Sequence, residues 1–150
     1  MSAINTSNVI NLTKDQVLCL EGDLNLDMYL VQKGLLMVSM RKGTEITPIA
    51  QIESGEFIGD LSFFDHLPRS ADIIALETSV LIRIPQVEME KSFPAWMTEI
   101  CNYMTKRIRL LSNVTRKHGI KRKNTKTAKA LTMDEQRRYL TAIEAFKKSR

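Results

Sequence analysis

The chain has 150 residues, 43% apolar and 26% charged, enough for one globular domain with a real core and ordinary for a soluble protein. No apolar run approaches the length of a membrane span and no basic-then-apolar leader opens the chain, so a cytoplasmic location without a membrane partner is expected. The net charge of +5 is unevenly placed: residues 1–114 carry 10 Lys/Arg against 14 Asp/Glu and residues 115–150 carry 12 against 3, so the basic balance describes a tail.

From Val17 to Pro85 the chain reads as short β-favouring runs separated by glycine turns. The expected strands are Val17–Leu20, Asp27–Lys33, Leu35–Arg41, Glu45–Ile52, Ser70–Leu76 and Ser79–Ile84. Six short strands without long intervening helices point to a barrel or sandwich. Cys19 and Cys101 lie far apart and lack metal-ligand spacing, so free thiols are expected.

Within this region, Gly55 to Ala75 carries the chemistry. Gly59 and Asp60 open a short helical turn over Leu61 to Phe64, and a tight Pro68 delivers Arg69 into the next β run. Amides at a helix start favour an anion. Arg69 adds a bidentate grip on phosphate oxygens that a lysine would not reproduce. The expected ligand is anionic, and Arg69 is its anchor. The alternative for the arginine is a surface ion pair with Asp60 or Asp65.

After Pro85 the period becomes helical. A short helix spans Gln86 to Phe93, and Pro94 opens a long one to Val114, with Met97, Ile100, Cys101, Met104, Ile108, Leu111 and Val114 forming an apolar stripe. Packing on its own barrel is one fate of that stripe. Residues 115–130 read as a basic linker. Thr132 to Glu135 fits a capping box, starting a helix with Met133, Tyr139, Leu140, Ile143 and Phe146 on one face. That face requires a cover: the barrel, a second subunit or another protein.

The cassette resembles the cyclic nucleotide-binding domain of bacterial cAMP receptor proteins, cyclic-nucleotide-gated channels and protein kinase regulatory subunits. That family's phosphate-binding cassette runs Phe-Gly-Glu-Leu-Ala-Leu-Leu, a short loop, then Pro-Arg-small-Ala-Thr. Here stand Ile58-Gly59-Asp60-Leu61-Ser62-Phe63-Phe64 and Pro68-Arg69-Ser70-Ala71-Asp72, with Glu21-Gly22-Asp23 and Tyr29 to Gly34 at the family's upstream glycine turn and strand. The likeness runs from about Val17 to about Val114.

The resemblance implies a mainly β, α+β fold, a jelly-roll β barrel with C-terminal helices, over residues 1–114, followed by the linker and one amphipathic helix over 115–150. It implies cAMP, or alternatively cGMP, as ligand, no metal, and a homodimer through the long helix. The site residues it implies are Ile58, Gly59, Asp60, Leu61, Ser62, Arg69, Ser70, Ala71 and Ser112. Gly59 admits close backbone approach. Asp60 takes the place of the glutamate that reads the ribose hydroxyl, one methylene shorter. Ser62 and Ser70 offer hydroxyls. Ser112, near Arg107 and Asn113, aligns with a polar contact to the base, while Leu111 replaces a second. Asp72 departs from the usual threonine, and strand parity turns it toward solvent, away from a phosphate.

The functional expectation is a non-enzymatic signalling module that binds a cyclic nucleotide and repositions its C-terminal helices to regulate a partner. His66 and His118 join no catalytic constellation, and His66 is expected to face solvent. The competing readings are a regulator that touches nucleic acid through its basic tail, with only one helix where a helix-turn-helix needs two, and a dimeric scaffold that has lost its ligand.

Overall fold

The computed structural model describes residues 8–118 and 130–149. Among these the strands are β1 Val9–Leu12, β2 Val17–Cys19, β3 Met28–Lys33, β4 Leu36–Lys42, β5 Glu45–Ile52, β6 Phe57–Ile58, β7 Asp72–Ala75 and β8 Ser79–Ile84. The helices are α1 Asp60–Asp65, α2 Met89–Ser92 after a 3-10 turn at Gln86–Glu88, α3 Ala95–His118 and α4 Met133–Lys148. The strands form two antiparallel sheets in the orders β1-β8-β3-β6 and β2-β7-β4-β5. The fold is mainly β, a jelly-roll sandwich with C-terminal helices.

Two strands escaped the sequence reading. β1 pairs with β8 from Val9↔Ile82 to Leu12↔Ser79, a partner some seventy residues on, and β6 is only two residues long. Local pattern carries little signal for either. Pro48 sits inside β5 without disrupting the sheet because β5 is an edge strand, where a missing N–H costs no ladder bond on the open side. The β4–β5 register shifts between Val38 and Ser39, beside it.

Strand alternation builds two cores. Between the sheets lie Leu12, Cys19, Tyr29, Val31, Leu36, Ile58, Ile73, Ala75 and Leu81. On the outer face of the second sheet, Val17, Leu20, Met37, Ile46 and Ile74 meet Tyr139 and Ile143 of α4, with Leu140 and Phe146 alongside. The last helix therefore covers its own chain's sheet. Met133, expected on the same face, is exposed, although Leu131 just before it packs against the cluster. The capping box forms as expected: the Glu135 amide donates to the Thr132 hydroxyl at 3.3 Å and the Thr132 amide to the Glu135 carboxylate at 2.8 Å.

Gln136 closes the sheet edge. The Ile46 amide donates to its side-chain oxygen at 2.8 Å, and its Nε2 donates to the Ile46 carbonyl at 2.7 Å. One side-chain amide thus stands in for a neighbouring strand.

The long helix differs from the sequence reading in extent. α3 continues to His118, so the segment expected to begin a linker at residue 115 starts as helix; residues 119–129 of that linker lie outside the described residues. Thr105 is the buried position of α3, while Trp96, Ile100, Tyr103, Met104, Ile108, Leu110 and Leu111 are all exposed. Of the expected stripe, Ile100, Met104, Ile108 and Leu111 face outward while Met97 and Cys101 are half-buried, so its own barrel leaves most of the stripe uncovered. No helix among the described residues is long and apolar enough to cross a membrane.

Because Ile143 is fully buried, Ile143→Ala should lower the unfolding free energy by about 2–5 kcal/mol, read by urea denaturation. Gln136→Ala, which strands both Ile46 backbone groups, should cost about 1–3 kcal/mol. Unchanged midpoints in both variants would show α4 detached from the sheet in solution.

Candidate functional site

The geometry of the site begins with Gly59. Its backbone is left-handed, at φ 82° and ψ 13°, and it delivers the chain directly into α1. A side chain there would be strained, and a Cβ would also lie 2.0 Å from a terminal nitrogen of Arg69 and 2.9 Å from the Asp27 carbonyl. Gly59 was expected to make room for a ligand. In the structure it lines the cavity and also makes room for the arginine.

Arg69 is 4% exposed. Its backbone is pinned by the turn after β2: its amide donates to the Asp23 carbonyl and its carbonyl accepts from Gly22, both at 2.9 Å. The guanidinium donates to the Gly59 carbonyl at 3.2 Å, to the Asn25 side-chain oxygen at 3.1 Å and to the Asp27 carbonyl. It lies 5.7 Å from the centroid of the Tyr29 ring, a cation–π distance. All these acceptors are uncharged, and Nε is buried without a partner. The surface ion pair with Asp60 or Asp65 is therefore not how Arg69 is held.

The neighbouring acids have their own partners. The Asp27 carboxylate accepts from Arg83 Nε at 2.6 Å and the Gln86 amide at 3.0 Å. Asp65, at the end of α1, has a fully buried side chain and binds Arg109 of α3 through two nitrogens, Nη2 lying at 2.9 Å. Arg109 Nη2 also lies 3.5 Å from the Ser62 hydroxyl. One guanidinium on α3 thus spans the first and last turns of α1.

Asp72 corrects an expectation. Parity does turn it away from the space between the sheets, but it is fully buried. Its carboxylate accepts the Glu21 amide at 2.7 Å and pairs with Arg41 Nε at 3.2 Å. Strand parity sets direction, and burial depends on what covers that face.

Beside Arg69 is a cavity of about 180 Å³ lined by Ile58, Gly59, Asp60, Leu61, Ser62, Arg69, Ser70 and Ala71. Eight of the nine expected site residues thus meet around one space. Ser112 does not: it is exposed on α3 and outside the lining. The remaining walls, Cys19, Val38, Ile52, Phe57 and Ile73, were not foreseen, although strand alternation places Ile73 on the same face as Ala71. The Asp60 side chain is exposed at the rim. The amides of Asp60, Leu61 and Ser62 occupy the first turn of α1, where amides lack intrahelical acceptors.

Asn25, Tyr29 and Arg109 were also missed as parts of the site. The Asn25–Arg69 bond spans 44 residues and the Arg109–Ser62 approach 47, separations that no local motif encodes. Burial pushes the Tyr29 phenol above its ordinary pKa, opposed by the adjacent Arg69, so the ring under the guanidinium is neutral. The cavity can therefore take a compact anion with an uncharged body: positive charge and amides at one end, apolar walls beyond. His66, at the end of α1, is exposed and touches Gln86 at 3.0 Å, away from the cavity.

The family profile described as cyclic nucleotide-binding domain matches residues 9–93. No curated protein matches the chain. Among solved structures, the EAL enzyme Bd1971 in its cAMP-bound form superposes with a TM-score of 0.60 at 25% identity, over 70% of this chain and 29% of that one. Its cGMP-bound form gives 0.59 at 26% identity, over 67% and 28%. The chain thus spans less than a third of the length of Bd1971 in these forms. The regulatory domain of Toxoplasma gondii PKA with cAMP gives 0.56 at 16% identity, over 67% and 38%, a likeness of fold.

Gly59 and Gly55 provide a matched comparison, since both have positive φ but a Cβ at Gly55 meets nothing within 4 Å. Gly55→Ala should cost about 1 kcal/mol of backbone strain, whereas Gly59→Ala should cost at least about 2 kcal/mol more because Arg69 must leave its seat. Equal losses in denaturation would show that Arg69 does not occupy that seat in solution.

Proposed function

The chain belongs to the cyclic nucleotide-binding domain family, and on that premise we propose that it is a signalling module that binds cAMP in the Arg69 cavity and transmits occupancy to α3. The observation that carries this reading is the buried Arg69 guanidinium, whose acceptors among the described residues are all neutral. A charge removed from water without a counterion is unfavourable, and a phosphate entering the cavity supplies one. The apolar walls Val38, Ile52 and Phe57 suit a base, and Ser70 offers a hydroxyl that leaves cGMP as the competing ligand. Asp60, at the rim, is the acceptor for the ribose hydroxyl. Ser112 reaches the base only if α3 moves or a second copy presents it.

The output runs through Arg109. A ligand that grips the first turn of α1 pulls on Ser62 and Asp65, and both lie against Arg109 of α3. Such a linkage biases a helix position by the difference in affinity between its two states. The outward apolar stripe of α3, with Tyr103 64% and Leu110 66% exposed, fits pairing with the same helix of a second copy. The module then regulates a partner by presenting α3 in one of two positions.

Calorimetry with cAMP, cGMP and 5′-AMP tests the ligand. The wild type should bind cAMP most tightly, and Arg69→Ala should weaken it roughly 10- to 150-fold, as expected for hydrogen bonds to a charged group. Failure of the wild type to bind any of the three removes the proposal. For the dimer, Ile108→Glu should convert a dimer to a monomer in sedimentation equilibrium; a wild type monomeric at tens of micromolar overturns that part alone.

A further inference from the structure

The three acceptors around the Arg69 guanidinium are two backbone carbonyls and one side chain, Asn25. Asn25 is the member of this set that a single substitution can change in charge while keeping shape. Its oxygen accepts from Arg69 at 3.1 Å and from the Asp27 amide at 2.8 Å, while its Nδ2 donates to the Tyr29 hydroxyl at 3.1 Å. Two donors converge on one side-chain atom, which fixes that atom as the oxygen. The same amide therefore sets the guanidinium and the ring beneath it.

We propose that Asn25 is a positioning residue that holds Arg69 in place without neutralising it, so that the arginine's charge is kept for an incoming anion. The inference rests on the nucleotide-binding reading and deepens it. An aspartate at this position would hold Arg69 equally well, and would spend the same charge on an internal ion pair. The surrounding acids fit this arrangement, because Asp27 is engaged by Arg83 and Asp65 by Arg109, leaving an uncharged acceptor as the side-chain contact of Arg69. The charge of a carboxylate placed at Asn25 would also act directly on a phosphate bound to the same guanidinium, since like charges within a few ångströms repel.

The test compares wild type, Asn25→Ala and Asn25→Asp by calorimetric titration with cAMP and by thermal unfolding without nucleotide. Aspartate keeps every hydrogen bond, because its second oxygen can accept from the Tyr29 hydroxyl. If charge is what matters, affinity falls in the order wild type, alanine, aspartate: about threefold for Asn25→Ala and about tenfold or more for Asn25→Asp. The melting temperature without nucleotide falls in Asn25→Ala and is held or raised in Asn25→Asp. A purely structural asparagine gives the opposite order, with alanine weakest and aspartate near wild type, and overturns the inference. Parallel losses of affinity and melting temperature in Asn25→Asp overturn it as well. If wild type binds no cAMP, the nucleotide-binding reading falls and takes this inference with it, an outcome distinct from the failure of Asn25 alone.

Discussion

Holding a guanidinium out of water with no carboxylate against it is the constraint around which the rest of the molecule is arranged. Arg69 is nearly inaccessible, and among the described residues its positive charge is met by dipoles and the face of Tyr29. Dipoles compensate a buried charge incompletely, so the buried guanidinium is an unfavourable term in the fold. The turn following β2 surrounds the arginine with carbonyls, the left-handed Gly59 lets its planar head lie flat against the backbone, and the strands on either side supply the rigidity that keeps it there.

Three acids of this region have arginine partners other than Arg69. Asp27 pairs with Arg83, Asp65 with Arg109 and Asp72 with Arg41. Each pair also joins two elements: the start of β3 to β8, α1 to α3, and β7 to β4. These pairs thus tie the sandwich and its helices together.

Much of this was written locally in the sequence. The cassette residues Ile58 to Ser62 and Arg69 to Ala71 line one cavity because a glycine turn, a short helix and a strand entry hold them within a few residues of each other. The capping box at Thr132 and the strand bounds at Glu45–Ile52 and Ser79–Ile84 follow from turn chemistry and alternation. What escaped was long-range. Asn25 and Arg109 act across more than forty residues, β1 finds β8 near the other end of the domain, and Asp72 is buried by Arg41 from a different strand. The direction of α3 was left open for a related reason: a periodic stripe shows that one side of a helix is apolar, while its direction depends on polar anchors such as Arg109 and the buried Thr105 that set the helix against the barrel.

The Gln136 contact with β5 has a consequence for how the chain reaches its folded state. Strand edges with free amides and carbonyls recruit other strands, and the outer face beside this one is apolar through Met37, Ile46 and Ile74. The helix that blocks both is synthesised after every strand it covers, separated from them by the whole of α3. Any form of the chain in which α4 is not docked displays the β5 edge beside an apolar surface, and docking of α4 covers both.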